Sequence, residues 1–109
     1  MAKRAPKRSD RTLRREQARA VSQLQRDRER LFSLEPGGRV ERPLEAASAA
    51  VIEAHASRIP CPLCGASQEI LEHTALVHSG VRLRETKLRC RQCGSQRSLW
   101  FKIVPPSLN

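Results

Sequence analysis

The chain has 109 residues and a formal charge of +10, from 21 lysines and arginines against 11 acidic residues. Its apolar fraction is 39%, and its only aromatic residues are Phe32, Trp100 and Phe101. A core this poor in large side chains rarely holds a fold together unaided, so the composition predicts a staple such as a metal, disulfides or a partner. No stretch reaches the ~18 apolar residues of a membrane span, and we expect no membrane partner.

The positive charge is concentrated in residues 1–32 and 61–109, on either side of a neutral middle. This distribution is typical of a chain that meets polyanions at both ends, although a solvated surface would explain it equally well. The basic start of the chain leads into polar sequence and not into an apolar signal core, which argues against secretion. Four cysteines without a secretion signal suit a reducing compartment, so we expect a cytoplasmic protein.

The first third of the chain, residues 1–34, is predicted to be a basic tail followed by a helix. Residues 1–9 are basic and interrupted by proline, which predicts disorder, and Asp10 can cap a helix over residues 11–34. Its apolar positions form only a thin stripe: Leu13, Ala20, Val21, Leu24, Leu31 and Phe32. The pattern predicts a helix that is exposed or that folds on a partner, and it has too few clean heptads for a coiled coil.

Residues 35–58 are predicted to form a linker that holds one short element. Pro36-Gly37-Gly38 ends the helix and predicts a flexible joint. Residues 44–56 are rich in alanine, which favours a second helix with Pro43 in its first turn. The 51–56 end is also compatible with a short strand added to the following domain. We expect the helix.

The remainder of the chain has the alternation of strands. The pattern predicts strands over residues 68–76, 81–89 and 97–104, with a tight turn at residues 78–80 between the first two. In the last strand Leu99, Phe101 and Ile103 share one face. In the second strand Leu83 and Leu88 fall in opposite phases, which predicts a bulge near residues 85–87. Such a bulge would place the strand's basic side chains on a common face.

Four cysteines form two pairs with the same spacing, in Cys61-Pro62-Leu63-Cys64-Gly65 and Cys90-Arg91-Gln92-Cys93-Gly94. Two residues between thiolates let one tight turn place both sulfurs at adjacent corners of a tetrahedron, ~2.3 Å from Zn²⁺. The glycine after each pair permits positive φ, so backbone amides can turn toward the sulfurs. The sequence therefore predicts one structural Zn²⁺ bound by Cys61, Cys64, Cys90 and Cys93. Iron, a redox-active pair and disulfides are the alternatives.

This arrangement resembles the zinc ribbon, in which a hairpin joins two CxxCG turns and a third strand follows the second turn. The resemblance covers about residues 59–104 and implies a zinc-ribbon domain over 59–109. The fold implied for the whole chain is a small α+β protein, with a three-stranded antiparallel ribbon after a basic helix and a linker. Zinc ribbons that act in transcript cleavage carry an acidic pair at the hairpin tip. Residues 76–80, the predicted tip here, have no acid, so the resemblance does not imply that activity. Because four thiolates leave no position for water or substrate, we expect no enzyme and no small-molecule substrate.

Basic residues are dense between positions 82 and 102, where Glu85 is the only acid. Trp100 is out of phase with Leu99 and Phe101, so it is expected on the opposite face, beside Lys102. Arginines could meet phosphates there and a base could stack on Trp100. The alternatives are a Trp100 packed beneath a helix and a merely solvated basic edge. The candidate nucleic-acid residues are Arg82, Arg84, Lys87, Arg89, Arg91, Arg97, Trp100 and Lys102.

Two functional hypotheses follow from the sequence. The first is a zinc-binding ribbon protein that binds nucleic acid or a ribonucleoprotein through its basic surfaces. The second is a protein-interaction adaptor that docks through the helix at residues 11–34, with the ribbon as a rigid module.

Overall fold

A computed structural model of the chain describes residues 9–105, so the predictions made for residues 1–8 and 106–109 lie outside the described part. The elements, in chain order, are α1 (Asp10–Leu34), β1 (Leu44–Ala46), α2 (Ala49–Arg58), β2 (Gln68–His78), β3 (Val81–Cys90) and β4 (Gln96–Ile103). Neither described helix is long and apolar enough to cross a membrane. The chain is a small α+β protein with a four-stranded mixed sheet.

Helix α1 begins one residue before the predicted start. Its N-cap is Ser9, whose hydroxyl accepts a hydrogen bond from the Thr12 amide at 3.2 Å, and Asp10 lies in the first turn. Both residue types cap helices well, and Asp10 still complements the helix dipole. None of the 25 residues of α1 is buried. Within residues 9–105, the side-chain contacts from α1 to the body involve its last two turns, from Arg28 onward.

The segment after α1, which we predicted to be a flexible joint, is packed against the sheet at Gly37. Gly37 is buried, its amide donates to the Arg42 carbonyl at 2.6 Å, and its carbonyl accepts from the Trp100 amide at 2.9 Å. Its φ of +87° favours glycine, and a Cβ there would lie 2.8 Å from Leu44 Cδ1. A glycine is required because two strands approach this backbone closely.

The helix expected over residues 44–56 is confirmed for residues 49–56 only, within α2, and residues 44–48 are not helical. Ser48 caps α2 by accepting a hydrogen bond from the Val51 amide. Pro43 is outside this helix, and the strand that we considered is not at residues 51–56. A three-residue strand, β1, precedes the helix and pairs in parallel with β4. The predicted three-stranded antiparallel ribbon is therefore extended by one parallel edge strand, giving the order β1-β4-β3-β2.

The hairpin of β2 and β3 closes through a two-residue turn, Ser79 and Gly80, which both have positive φ. This is the turn type that matches the twist of paired strands. The register shift lies in β2 around Leu71, whereas β3 pairs with β4 without interruption. The predicted bulge near residues 85–87 is therefore wrong. Alternation then puts Arg82 and Arg84 on one face of the sheet and Lys87 and Arg89 on the other.

The core lies between α2 and one face of the sheet. Ile52 and Ala56 of α2 pack on the fully buried Leu88, Leu99 and Phe101, and Phe32 at the end of α1 joins the edge of this cluster. The shared face predicted for Leu99, Phe101 and Ile103 is confirmed. Helix α1 is therefore anchored to the core through one aromatic side chain at its C-terminal end.

Candidate metal centre

The four cysteines lie on two turns of the same geometry. The first turn joins α2 to β2, and the second joins β3 to β4. In each turn the glycine amide donates to the first cysteine's carbonyl, at 2.8 Å for Gly65 and 3.1 Å for Gly94. The two glycines have φ of +77° and +76°, where an L side chain would be strained. The Arg91 amide donates to the Ser67 carbonyl at 3.0 Å, which links the two turns.

The four sulfur atoms converge on one point. The Sγ atoms of Cys61 and Cys93 are 3.7 Å apart, those of Cys64 and Cys90 are 3.3 Å apart, and all four lie within 4.8 Å of one another. Tetrahedral Zn²⁺ with sulfurs at ~2.3 Å requires sulfur–sulfur distances of about 3.8 Å. The four residues therefore fit a four-coordinate thiolate metal. All four are free cysteines, so the disulfide alternative has no support.

Backbone amides point at the sulfurs on the buried side of the site. The Leu63 amide donates to Cys61 Sγ, and the amides of Gln92 and Cys93 donate to Cys90 Sγ, each at 3.4 Å. Hydrogen bonds of this kind stabilise the thiolate form of a metal ligand. Cys61 and Cys90 are buried and Cys64 and Cys93 are exposed, so the site has one protected side and one side open to solvent.

The cysteine pKa values diverge in the way that crowded thiols require. Burial opposes ionisation of Cys61, but hydrogen bonds from Ser95, backbone amides and Arg97 outweigh it and lower the pKa to about 5. The pKa of Cys90 is also lowered, chiefly by the Cys93 amide and against the effect of burial. The Ala66 amide favours ionisation of Cys64, yet the neighbouring cysteines, with some loss of hydration, raise its pKa to about 11. A divalent cation is what would allow all four sulfurs to ionise together.

Arg97, which we expected to be a surface residue, is buried beside this site. Its side chain is 4% exposed. Its guanidinium donates to Cys61 Sγ at 3.4 Å, to Ser95 Oγ at 2.9 Å, to Glu29 Oε1 at 2.7 Å and to the buried Gln68 Oε1. Burial disfavours its charge, but Glu29 and Cys61 more than compensate and raise the pKa of Arg97. Sequence reasoning missed Gln68, Ser95 and Glu29, because nothing in the local pattern links them to the cysteines.

Much of the basic character expected of the sheet is neutralised by glutamates. Arg89 donates through Nε to Glu69 at 2.8 Å, Arg91 lies 3.9 Å from the same carboxylate, and Lys87 lies 3.4 Å from Glu72. The hydrogen bond from Arg89, with the charges of Arg89 and Arg91, lowers the pKa of Glu69. In these pairs the acids of β2 lie beside bases of β3 or of the turn that follows it, so this part of the sheet is not a continuous basic surface.

Four of the predicted residues, Arg82, Arg84, Trp100 and Lys102, do not belong to these pairs. Arg82 and Arg84 line an open groove of about 520 Å³ at the hairpin end, together with Ile103 and residues 75–77. Trp100 and Lys102 alternate with the buried Leu99 and Phe101, as predicted, so they share the face opposite α2. Trp100 is partly buried, with Glu85 directly across on β3, and it does not lie beneath α2. The structure therefore separates the eight predicted residues into four groups. Arg97 is buried, Lys87, Arg89 and Arg91 are paired with glutamates, Arg82 and Arg84 line the groove, and Trp100 and Lys102 lie on the face opposite α2.

The comparisons with protein-family models, curated proteins and solved structures give no significant match for this chain. The metal centre therefore rests on its own geometry: four cysteines on two equivalent turns, with their sulfurs within metal-binding distance.

Proposed function

We propose that this chain is a non-enzymatic zinc-binding protein whose helix α1 binds nucleic acid, free or within a ribonucleoprotein. The metal is assigned as zinc because a closed tetrahedron of four thiolates is typical of structural zinc sites. Such a site leaves no open coordination position, so the metal would stabilise the fold and would not activate water or substrate.

The observation that supports nucleic-acid binding is a row of arginines along α1. They recur at the spacing of one helix face, are all exposed, and extend over roughly 28 Å of helix axis: Arg11, Arg15, Arg19, Arg26 and Arg30. Among residues 9–105, no carboxylate lies within ion-pair distance of any of them. A row of arginines free to release counterions from phosphates favours polyanion binding.

The same reasoning makes the sheet the weaker candidate surface. Lys87, Arg89 and Arg91 are paired with glutamates and Arg97 is buried, so a phosphate would have to compete with carboxylates for them. Arg82 and Arg84 have no such partner in the described residues, which makes them the best sheet positions for a comparison with α1.

The test is binding of the zinc-loaded full chain to labelled single- and double-stranded DNA and RNA at two salt concentrations. We compare Arg15→Gln/Arg19→Gln with Arg82→Gln/Arg84→Gln, because each pair removes two positive charges. The Arg15→Gln/Arg19→Gln variant should bind about tenfold or more weakly at low salt. Its slope of log affinity against log salt concentration should be smaller by about two, for two fewer released ions. The sheet pair should stay within about twofold of wild type. If the two pairs weaken binding equally, α1 is not the specific contact, and if the wild type binds no nucleic acid at low salt, the proposal is wrong.

A second candidate, the protein adaptor, has one specific observation in its favour. Five large apolar side chains of α1 are 40–63% exposed: Leu13, Val21, Leu24, Leu31 and Leu34. Most of them lie on the side of the helix away from the arginine row, and an exposed apolar row of this kind fits the groove of a partner protein.

One double variant separates the two candidate functions. Leu24→Gln/Leu31→Gln keeps the charge of α1 and should leave nucleic-acid affinity within about twofold, whereas it should abolish docking in a hydrophobic groove. A stoichiometric protein complex that is insensitive to salt and is lost in this variant would favour the adaptor.

A further inference from the structure

The buried guanidinium of Arg97 lies between the metal centre and the C-terminal part of α1, near Glu29. The Arg97 guanidinium reaches Cys61 Sγ through Nη1, at 3.4 Å, and Glu29 Oε1 through Nη2, at 2.7 Å. Its remaining partners, Ser95 and Gln68, lie on the sheet side, and Ser95 Oγ is itself 3.1 Å from Cys93 Sγ. Within the described residues, Arg97 is thus in contact with both a candidate metal ligand and an acidic residue of α1.

Charge balance explains why a cation is needed there. Four thiolates around a divalent cation leave about two negative charges at the centre. Glu29 brings a further negative charge to the same guanidinium. Without Arg97, the Glu29 carboxylate of α1 and the negatively charged metal centre would repel each other. Arg97 also lies over the Phe32 ring, 5.7 Å from its centroid, and Phe32 is the α1 residue that packs on the core.

We propose that Arg97 is a positioning residue that fixes the direction of α1 to the metal centre, because it is the counter-ion of the Cys61 thiolate and of the Glu29 carboxylate at once. The assignment goes beyond the proposed function, since it holds whether α1 binds nucleic acid or protein. In this assignment, the contact through Arg97 sets the orientation of α1 relative to the metal centre.

The shape of the arginine side chain is part of the argument. Its planar fork sends two nitrogens toward different partners, whereas lysine has one compact charge on a flexible stem. Lysine at position 97 can remain near the sulfur but cannot also hold Glu29 in the same geometry. The two roles of Arg97 are therefore separable by mutation.

The test uses the zinc-loaded full chain with Glu29→Gln, Arg97→Lys and Arg97→Gln. The matched control is Asp27→Asn, which makes the same charge change on α1, where Asp27 pairs only with Gln23 of the same helix among the described residues. Two quantities are measured: zinc affinity by chelator competition, and amide hydrogen exchange at residues 28–34 and in β3.

We expect Glu29→Gln and Arg97→Lys to accelerate exchange at residues 28–34 about tenfold, while β3 keeps its protection and zinc affinity stays within about threefold. Arg97→Gln should in addition weaken zinc binding by about 10- to 100-fold, as loss of a partner to a metal ligand does. Asp27→Asn should change neither quantity.

Three results would overturn the assignment. Wild-type exchange at residues 28–34 in both Glu29→Gln and Arg97→Lys would mean that other contacts, such as Phe32 and the Arg28 hydrogen bond to the Leu63 carbonyl, hold α1 without Arg97. Equal acceleration of residues 28–34 and β3 in Arg97→Lys would mean that Arg97 is only a core residue. Unchanged zinc affinity in Arg97→Gln would remove its role as counter-ion, and if that variant does not fold, the other two still decide the positioning role.

Discussion

Replacing Ile52 by alanine tests how α2 is attached to the sheet. Ile52 is fully buried against Leu88, Leu99 and Phe101, and alanine removes three carbon atoms from this contact. At about 0.8 kcal/mol per buried carbon the transfer loss is about 2.4 kcal/mol. The cavity adds to this, so we expect the free energy of unfolding to fall by about 3 kcal/mol.

The assay is urea unfolding of the zinc-loaded protein at a fixed free zinc concentration, since bound metal raises the apparent stability. Val51→Ala is the control, because Val51 precedes Ile52 on the same helix and is 46% exposed. It should cost less than about 0.5 kcal/mol. A second comparison distinguishes helix from strand: Ala54→Glu should be tolerated and Ala56→Glu should not, because only Ala56 faces the core. Equal costs for Ile52→Ala and Val51→Ala, or for the two glutamates, would refute the described packing of α2.

Three further outcomes are expected. Removal of zinc with a chelator should abolish the sheet's circular dichroism and the protection of β3 amides, because the small core does not suffice without the metal; retention of both would show that the metal is dispensable for folding. Zinc binding at neutral pH should release at least one proton, because the pKa of Cys64 is raised to about 11, so apparent zinc affinity should fall as the pH is lowered. Calorimetry in buffers of different ionisation enthalpy measures the proton release. A zinc affinity that does not change with pH would contradict the prediction. Gly38→Ala should lower the free energy of unfolding by about 2–3 kcal/mol, because the added Cβ would lie 2.2 Å from the Phe32 carbonyl oxygen. Gly80→Ala should lower it by only about 1 kcal/mol in the same urea assay, because Gly80 has positive φ but open space around its Cβ position.

The metal centre was predictable from sequence because its signal is local. Each CxxCG turn closes over five residues, and both the positive φ of its glycine and the convergence of its sulfurs follow from that spacing. The hairpin turn at Ser79 and Gly80 was predictable for the same reason. Strand positions followed from alternation and agree with the structure to within two residues at each end.

The fourth strand was not predictable, since three residues are too few for alternation to show. β1 is defined by its pairing with β4, more than fifty residues later in the chain, and by the close approach of Gly37. The opposite phases of Leu83 and Leu88 were real, but the inference of a bulge in β3 was wrong. Leu83 pairs with Leu76 on the face opposite α2, while Leu88 lies in the core. The two ends of one regular strand are buried on different faces.

Charge shows the same division between local and non-local information, and it decides where a polyanion would bind. In a helix the neighbours of a side chain are three or four residues away, so the arginine row of α1 can be read from sequence once the helix is placed. In the sheet the neutralising acids come from afar: Glu69 is 20 residues from Arg89, and Glu29 is 68 residues from Arg97. A count of charges between residues 82 and 102 includes neither acid. The density of basic residues in the sequence therefore overstates the charge of the sheet but not that of α1, and the helix is the surface to perturb first.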